Sequence, residues 1–385
     1  MDKLNSRNPI FILLFLILIL SSRPVHSQNK IDSLTDNLKT EMFNRLNHFS
    51  FGFYVDAYYN WTLGSKNDTS NVVPFQGNCP IQNQIRLNVA AIEIAYTGEK
   101  VRGKLVIQFG DAPNLLADPS AQFIKNLRQA NFGFRLAKRI WLDFGYFLNP
   151  VGLESSWPIL NAISTVSIGG YYEPGNILGA KFTWKASDKF TGGIMVGNQY
   201  SLAYGKNTHM AGLMFFTYTP IQNLSITYAN IFGNQALANA RIKNNILYNN
   251  LIVRYNPVPQ VCLTGQLDFA AQTNSRMYPD TAKTATMFSG LAQVRYEFLK
   301  KFSISGRYEF FNDYDGFLSG PYTYNGITRG LLTQGFSVSF EYKPIKIGYI
   351  RLEYRHLYAA PGNDVFYSKT SDQMRSLIIT TGVRF

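Results

Sequence analysis

From residue 49 onward the chain is a train of alternating apolar and polar segments, and every second junction between them is only a few residues long. Seven short junctions stand out: Tyr96 to Val101, Leu136 to Ile140, Trp184 to Phe190, Tyr218 to Leu224, Tyr255 to Val261, Tyr296 to Phe302 and Tyr342 to Ile347. Alternation with period two marks a strand, because successive side chains of a strand point to opposite faces. No long stretch carries the period of an amphipathic helix. Seven tight turns join fourteen strands, and a first strand at 49–61 with a last at 377–385 makes sixteen. Eight longer, wetter connections lie between, at about 62–81, 111–128, 149–174, 199–207, 233–245, 271–285, 312–330 and 358–374.

Short turns on one side, long loops on the other and an even strand number are the pattern of an outer-membrane barrel. The fold class expected is therefore all-β, an antiparallel transmembrane β-barrel of about sixteen strands with short periplasmic turns and long outer loops. Closure of the sheet removes the free edges that lipid cannot hydrate. The last strand, 377–385, should pair with the first.

The alternation assigns faces. Val101, Leu105, Ile107 and Phe109 should meet lipid while Arg102, Lys104 and Gln108 face the lumen. Phe302, Ile304, Tyr308 and Phe310 oppose Ser303, Ser305, Arg307 and Glu309, and Ile350, Leu352 and Tyr354 oppose Arg351, Glu353 and Arg355. Segment 82–96 changes phase: Ile85, Leu87 and Val89 read as outward, yet beyond Ala91 the apolar residues are Ile92 and Ile94, so a β-bulge is expected near Ala90 and Ala91. Trp184, Tyr218, Tyr255, Tyr296, Tyr342 and Phe385 stand beside the short turns or at the end of the last strand, where a periplasmic aromatic girdle belongs.

The first residues read as an export signal. Lys3 and Arg7 precede an apolar run at 10–20, and small or modest residues lead to Ser27, so residues 1–27 are expected to be a cleaved signal peptide. The run is well short of the roughly 20 residues a spanning helix needs. Residues 28–48 carry Ile31, Leu34, Leu38, Met42 and Leu46 at three- and four-residue steps, which suits either a short periplasmic helix or a frayed leader. The barrel then covers 49–385. Charged residues are 16% of the chain, where about 25% is usual, as expected of a protein whose outside meets outer-membrane lipid. The net charge of +13 is scattered singly along strands and not clustered with a binding motif, so no nucleic acid is expected as a partner. Cys79 falls in an outer loop and Cys262 near the periplasmic end of a strand, so two free thiols are expected.

Four stretches resemble the OmpL-like family of outer-membrane β-barrel porins: 52–60 (GFYVDAYYN), 86–111 with its GEKVRGKLVIQFGD turn, 124–155, and 171–197 (YYEPGNILGAKFTWKASDKFTGGIMVG). The resemblance covers the mature chain. It implies an outer-membrane location in a diderm bacterium, a pore function, and recognition of Phe385 by the barrel-assembly machinery. Its motifs are architectural and imply no particular solute.

Chemistry is hard to place on this chain. His48, His209 and His356 have no diagnostic serine motif beside them. Asp56, Asp143, Asp268, Glu309 and Glu353 fit no metal-ligand spacing, and the stretch Ser167 to Gly170 lacks the Lys and Ser or Thr of a phosphate loop. Neither enzyme activity nor a cofactor is expected.

Sixteen strands are wide enough to leave an aqueous channel, whereas about eight fill their interior with side chains. The expected lumen bases are Arg86, Arg102, Lys104, Arg135, Lys181, Arg254, Arg295, Arg307, Arg351, Arg355 and Arg384, against the acids Asp143, Asp268, Glu309, Glu341 and Glu353. That excess predicts an anion-favouring diffusion pore. Its counter-reading is that the arginines pair with acids and brace the wall. A non-conducting structural or interaction barrel is the alternative function. Loop 149–174 carries Trp157, Ile159, Leu160, Ile163 and Val166, too apolar to float in water, so it should either fold into the lumen as a constriction or pack on a neighbouring subunit of a homo-oligomer. A short helix at 120–128 is expected in the preceding loop.

Overall fold

A computed structural model describes residues 47–64, 71–116, 124–198, 209–237, 240–277, 282–324, 327–361, 364–367 and 371–385. The signal-peptide reading of 1–27, and all but the last two residues of the 28–48 segment, fall outside them. By contacts the chain divides after Phe49, and the described residues fall almost wholly in the second unit, Ser50–Phe385. The second is the barrel.

Sixteen strands close it: β1 (Phe49–Leu63), β2 (Ile85–Thr97), β3 (Val101–Phe109), β4 (Leu127–Ala137), β5 (Ile140–Phe147), β6 (Ile177–Trp184), β7 (Phe190–Asn198), β8 (Met210–Ile221), β9 (Leu224–Asn234), β10 (Asn245–Val258), β11 (Val261–Gln272), β12 (Ala285–Leu299), β13 (Phe302–Asn312), β16 (Leu332–Tyr342), β17 (Gly348–Ala359) and β18 (Gln373–Arg384). A separate two-stranded hairpin, β14 (Tyr322–Tyr324) with β15 (Ile327–Arg329), lies within the long connection from β13 to β16. The paired strands run antiparallel, and order in the sheet follows order in the chain, as tight hairpins require. The ends meet as the last strand predicted. Tyr54 stands opposite Arg384 and Leu63 opposite Arg375, and Phe53 and Phe385 exchange backbone hydrogen bonds of 2.6 and 3.0 Å.

The period-two pattern survives in space. Along β13, Ser303, Ser305, Arg307 and Glu309 are buried while Ile304 and Tyr308 are exposed. Along β17, Arg351, Glu353 and Arg355 are buried and Ile350 and Leu352 exposed. In a barrel this inverts the soluble rule, with apolar residues outside and charged ones within. No described helix is long and apolar enough to cross a membrane, and crossing falls to the strands.

The phase change in β2 is present, two residues earlier than expected. Leu87 and Ile92, five positions apart, are both exposed, and the consecutive Asn88 and Val89 are both fully buried. Val89 therefore points inward, not to lipid. From Ala90 opposite Phe109 to Thr97 opposite Arg102 the ladder with β3 is unbroken, so the irregularity lies before Ala90. Gly110, at φ +128°, crosses beside it, and a side chain there would collide with the carbonyl of Asn88. The loop after β3 carries a helix, α1 (Asp111–Leu116); of the short helix expected at 120–128, residues 120–123 lie outside the described residues, and Leu127 and Arg128 already belong to β4.

Candidate pore and its constriction

The loop between β5 and β6 turns into the barrel. It carries a 3-10 turn (Pro158–Leu160) and a one-and-a-half-turn helix, α2 (Ile168–Tyr172), capped by the Ser167 hydroxyl, which accepts from the Gly170 amide. Trp157, Ile163, Ser164, Thr165, Val166 and Ile168 are all buried. A loop with so many amides can be buried only if the wall satisfies them. It does so with carboxylates and guanidiniums.

Glu353 on β17 accepts the amides of Ser164 at 2.8 Å and Thr165 at 3.1 Å, and the Thr165 hydroxyl at 2.5 Å. Glu309 on β13 accepts the Ile168 amide at 2.6 Å. Arg351 donates to the carbonyls of Pro158 at 3.1 Å and Asn161 at 2.8 Å. Arg307 donates to the Thr165 carbonyl at 2.6 Å and to Glu154 of the loop itself at 2.5 Å. These side chains also pair with one another: Arg307 and Arg355 with Glu309 at 3.1 and 3.0 Å, and Arg351 with Glu341 at 2.5 Å. Arg351 and Arg355 are among the largest fully buried side chains of the protein. Buried charges are tolerated only when paired and hydrogen-bonded, and here the loop completes the pairing.

The other flank of the loop is held without cations. The Gly152 amide donates to Asn250 at 3.2 Å and the Leu153 amide to Gln266 at 2.8 Å. The Gln266 side-chain amide bridges two carboxylates, Glu173 at 2.5 Å and Asp268 at 2.8 Å. Burial, reinforced by the charges of Asp268 and Glu154, pushes the Glu173 carboxyl well above the usual carboxylate range. Towards β1 the loop is anchored by Trp157, whose indole nitrogen donates to Gln108 at 3.1 Å. Its ring lies 5.0 Å from that of Tyr54, with the Arg128 guanidinium 4.4 Å and the Arg384 guanidinium 5.4 Å from it.

Two further loops enter the outer mouth. Val73 and Phe75 from the β1–β2 connection, with Val365, Phe366 and Tyr367 from the β17–β18 connection, join one buried cluster. It also takes in Val151, Ile168 and inward side chains of strands such as Leu213 on β8, Ile246 on β10, Phe311 on β13 and Met374 on β18. Cys79, in the first of these loops, is fully buried with its thiol pushed up by burial, and both cysteines are free.

On β3 to β6 the basic residues stand differently. Arg102 grips Asp143 through two bonds of 2.6 and 2.5 Å, lies 4.3 Å over Trp141, and keeps a third of its side chain in solvent. Arg135 approaches the same ring at 5.1 Å, and Lys181 sits 4.4 Å over Phe147. Lys104 and Arg384 share Glu93 at 3.2 and 3.7 Å, Arg86 holds Asp111 at 2.6 Å, and Arg295 bridges Glu297 and Glu341 at 3.3 and 2.7 Å. Arg135, Lys181 and Arg254 have no carboxylate within ion-pair distance among the described residues. Asp56, Glu93, Asp111, Glu154 and Glu173, absent from the sequence tally of lumen acids, serve the same interior, so the excess of base is smaller than residue alternation suggested.

The sequence missed Glu154, Thr165 and Asp111 as partners because nothing in a loop's own pattern says which wall it will meet. The apolar residues Val73, Phe75 and Phe366 in otherwise wet loops were the available signal for the second and third inward loops. On the outer surface, Trp184, Tyr218, Tyr255, Tyr296 and Phe385 are exposed, Tyr342 is half-buried, and each lies in the last turn-ward residues of its strand or at the chain end. His356 packs its ring against Phe336, Tyr354 and Tyr358 and meets Gln373, with no serine in the contact.

A closed antiparallel barrel of sixteen strands with a long loop bent across its lumen defines an outer-membrane barrel of the porin class. The chain belongs to the OmpL-like β-barrel porin family: the family model described as "Putative beta-barrel porin-2, OmpL-like" matches residues 48–385. Its place is the outer membrane of a Gram-negative-type bacterium. Among solved structures it is similar to the outer membrane channel DcaP of Acinetobacter baumannii, at 12% identity and TM-score 0.58, covering 88% of this chain and 97% of that one. The anion-selective porin from Comamonas acidovorans matches at 9% identity and TM-score 0.56, over 88% and 99% of the two chains. The trimer form of OmpT, an outer membrane protein of Vibrio cholerae, matches at 10% identity and TM-score 0.55, again over 88% and 99%. At such identities the likeness shows the fold alone. No curated protein matches the chain.

Proposed function

We propose that this porin passes small hydrophilic solutes by diffusion, favours anions, and catalyses no reaction. One observation carries the reading. Cations under the inward loop are neutralised by carboxylates, whereas Arg135, Lys181 and Arg254 reach the lumen without one among the described residues. Unpaired bases along a lumen suit an anion path, and the pore-lining set expected from sequence narrows to these three, with the partly exposed Arg102, Lys104 and Arg384 and the less exposed Arg295 beside them. The fold neighbour from Comamonas acidovorans is an anion-selective porin. Reversal potentials across a salt gradient in a planar bilayer test the proposal: anion preference supports it and cation preference refutes it.

Export by cleavage of residues 1–27, assembly through recognition of Phe385 by the barrel-assembly machinery, and a homo-oligomer in the membrane complete the reading. The trimer form of the Vibrio cholerae neighbour supports the last of these. The buried apolar cluster across the outer mouth favours the second reading, a non-conducting interaction barrel. Absence of any conductance step from purified, folded protein would select it.

A further inference from the structure

Two adjacent periplasmic turns carry four lysines. Lys300 and Lys301 join β12 to β13, and Lys343 and Lys346 lie between β16 and β17. Pairing of β13 with β16 sets the turns side by side, with Phe302 opposite Tyr342. The Lys343 amide donates to the Lys301 carbonyl at 2.8 Å and the Lys301 ammonium to the Pro344 carbonyl at 3.1 Å, which ties the two turns into one unit. Between them lies a cavity of about 470 Å³, lined by all four lysines, Arg295, Glu297 and Glu341 among others. Its two acids are already engaged: Glu341 by Arg351, Arg295 and Lys343 at 2.5, 2.7 and 3.5 Å, and Glu297 by Arg295 at 3.3 Å. Lys300 and Lys346 have no partner among the described residues. By contrast, the turns at 222–223 and 259–260 carry no charge, and in the turn after β6 Lys185 bonds Asp188 at 2.9 Å.

The cavity's lining mixes the lumen-face residues Arg295, Glu297, Ser303 and Glu341 with the rim residues Leu299, Phe302 and Ile345. Phe302 lines it and also belongs to a chain of outward rings, Phe302 to Tyr342 at 4.8 Å, Phe302 to Phe340 at 5.8 Å, Phe298 to Phe302 at 6.1 Å and Tyr296 to Phe298 at 6.2 Å. Leu299 and Ile345 flank the lysines and are more than half exposed. Cationic donors beneath an aromatic, apolar surface match a molecule with an anionic head and apolar chains. The periplasmic leaflet of an outer membrane is phospholipid, and lysine clusters at a membrane surface recognise anionic headgroups.

We propose that the pocket between the β12–β13 and β16–β17 turns binds the phosphate headgroup of an anionic phospholipid of the periplasmic leaflet, with the acyl chains lying along Phe298, Phe302, Phe340 and Tyr342. Arg295 is shared between this pocket and the pore-lining set, so the lipid readout is taken on the four lysines, which the pore reading does not use. Native mass spectrometry of the folded barrel, released from micelles doped with phosphatidylglycerol or phosphatidylcholine, reads it directly. Wild type should retain phosphatidylglycerol in preference to phosphatidylcholine, and the variant K300Q/K301Q/K343Q/K346Q should bind it at least about tenfold more weakly, given the gain each lysine makes at an anionic surface. The variant K100Q/K138Q/K185Q/K189Q, which removes the same charge from other turns of the same rim, should retain it. The double variant K300Q/K346Q, whose side chains make no bond that folding needs, should lose part of the preference with its fold intact. Equal retention by wild type and the quadruple pocket variant, equal loss in the two quadruple variants, or displacement of the lipid by inorganic phosphate would each overturn the proposal.

Discussion

Two walls of the same lumen carry the same residue type to opposite ends. On β13 and β17, Arg307, Arg351 and Arg355 are sealed beneath the inward loop, each bonded to a glutamate and each at most 2% exposed. On β3 to β6, Arg102 and Arg135 rest on Trp141, and Lys181 on Phe147, with side chains still reaching solvent. Position on the lumen face is common to both walls. What differs is whether a loop with matching carbonyls and carboxylates arrives to cover them. The first wall holds the inward loop in place, and the second is left uncovered along the proposed anion path.

Breaking the sealed wall should have the largest effect. Arg307→Met leaves Glu154 and Glu309 buried with part of their pairing gone, and removing one partner of a buried pair costs about 3–5 kcal/mol. Equilibrium unfolding in urea should register that loss, and the same variant should show larger or noisier conductance as the loop loosens. Unchanged stability would mean that the network does not hold the loop.

A smaller, pH-dependent effect is expected on the carboxylate flank. Because the Glu173 carboxyl is raised by burial and by Asp268, its neutral form belongs to the folded loop. Its contribution is therefore complete below the ordinary carboxylate range and is lost as pH rises through the raised value. Wild-type stability should fall over that rise, and Glu173→Gln should flatten the dependence. A variant with the wild-type slope would place the titration elsewhere.

On the open wall, Arg135→Gln with Lys181→Gln should leave stability within about 0.5 kcal/mol, as surface-like substitutions do, while moving the reversal potential towards zero. An unmoved potential would take these cations out of the solute path. Smallest of all, Lys185→Ala breaks an exposed pair in a turn and should leave both unfolding and conductance unchanged.

The barrel was legible in the sequence because its determinants are local. The alternation of Phe302 to Phe310 names both faces of β13, and each short junction announces a hairpin. The phase change in β2 was legible as well, and only its position was misread, because Val89 is apolar yet packs inward with Tyr54 and Trp157. That loop 149–174 would not face water followed from its apolar content. Its partners did not follow, since contacts such as Glu353 with Thr165 depend on where a loop lands among sixteen strands. Charge balance in the lumen was misjudged partly for the same reason: Glu154 and Glu173 belong to a loop, whereas Asp56 on β1 and Glu93 on β2 are strand residues left out of the tally.

The account rests on a loop that narrows an otherwise wide barrel. Single-channel conductance of the wild type, compared with a variant in which residues 154–170 are replaced by a short Gly-Ser linker, tests it most directly. Several-fold larger steps from the variant are the predicted result, and steps of equal size from the two proteins would contradict it.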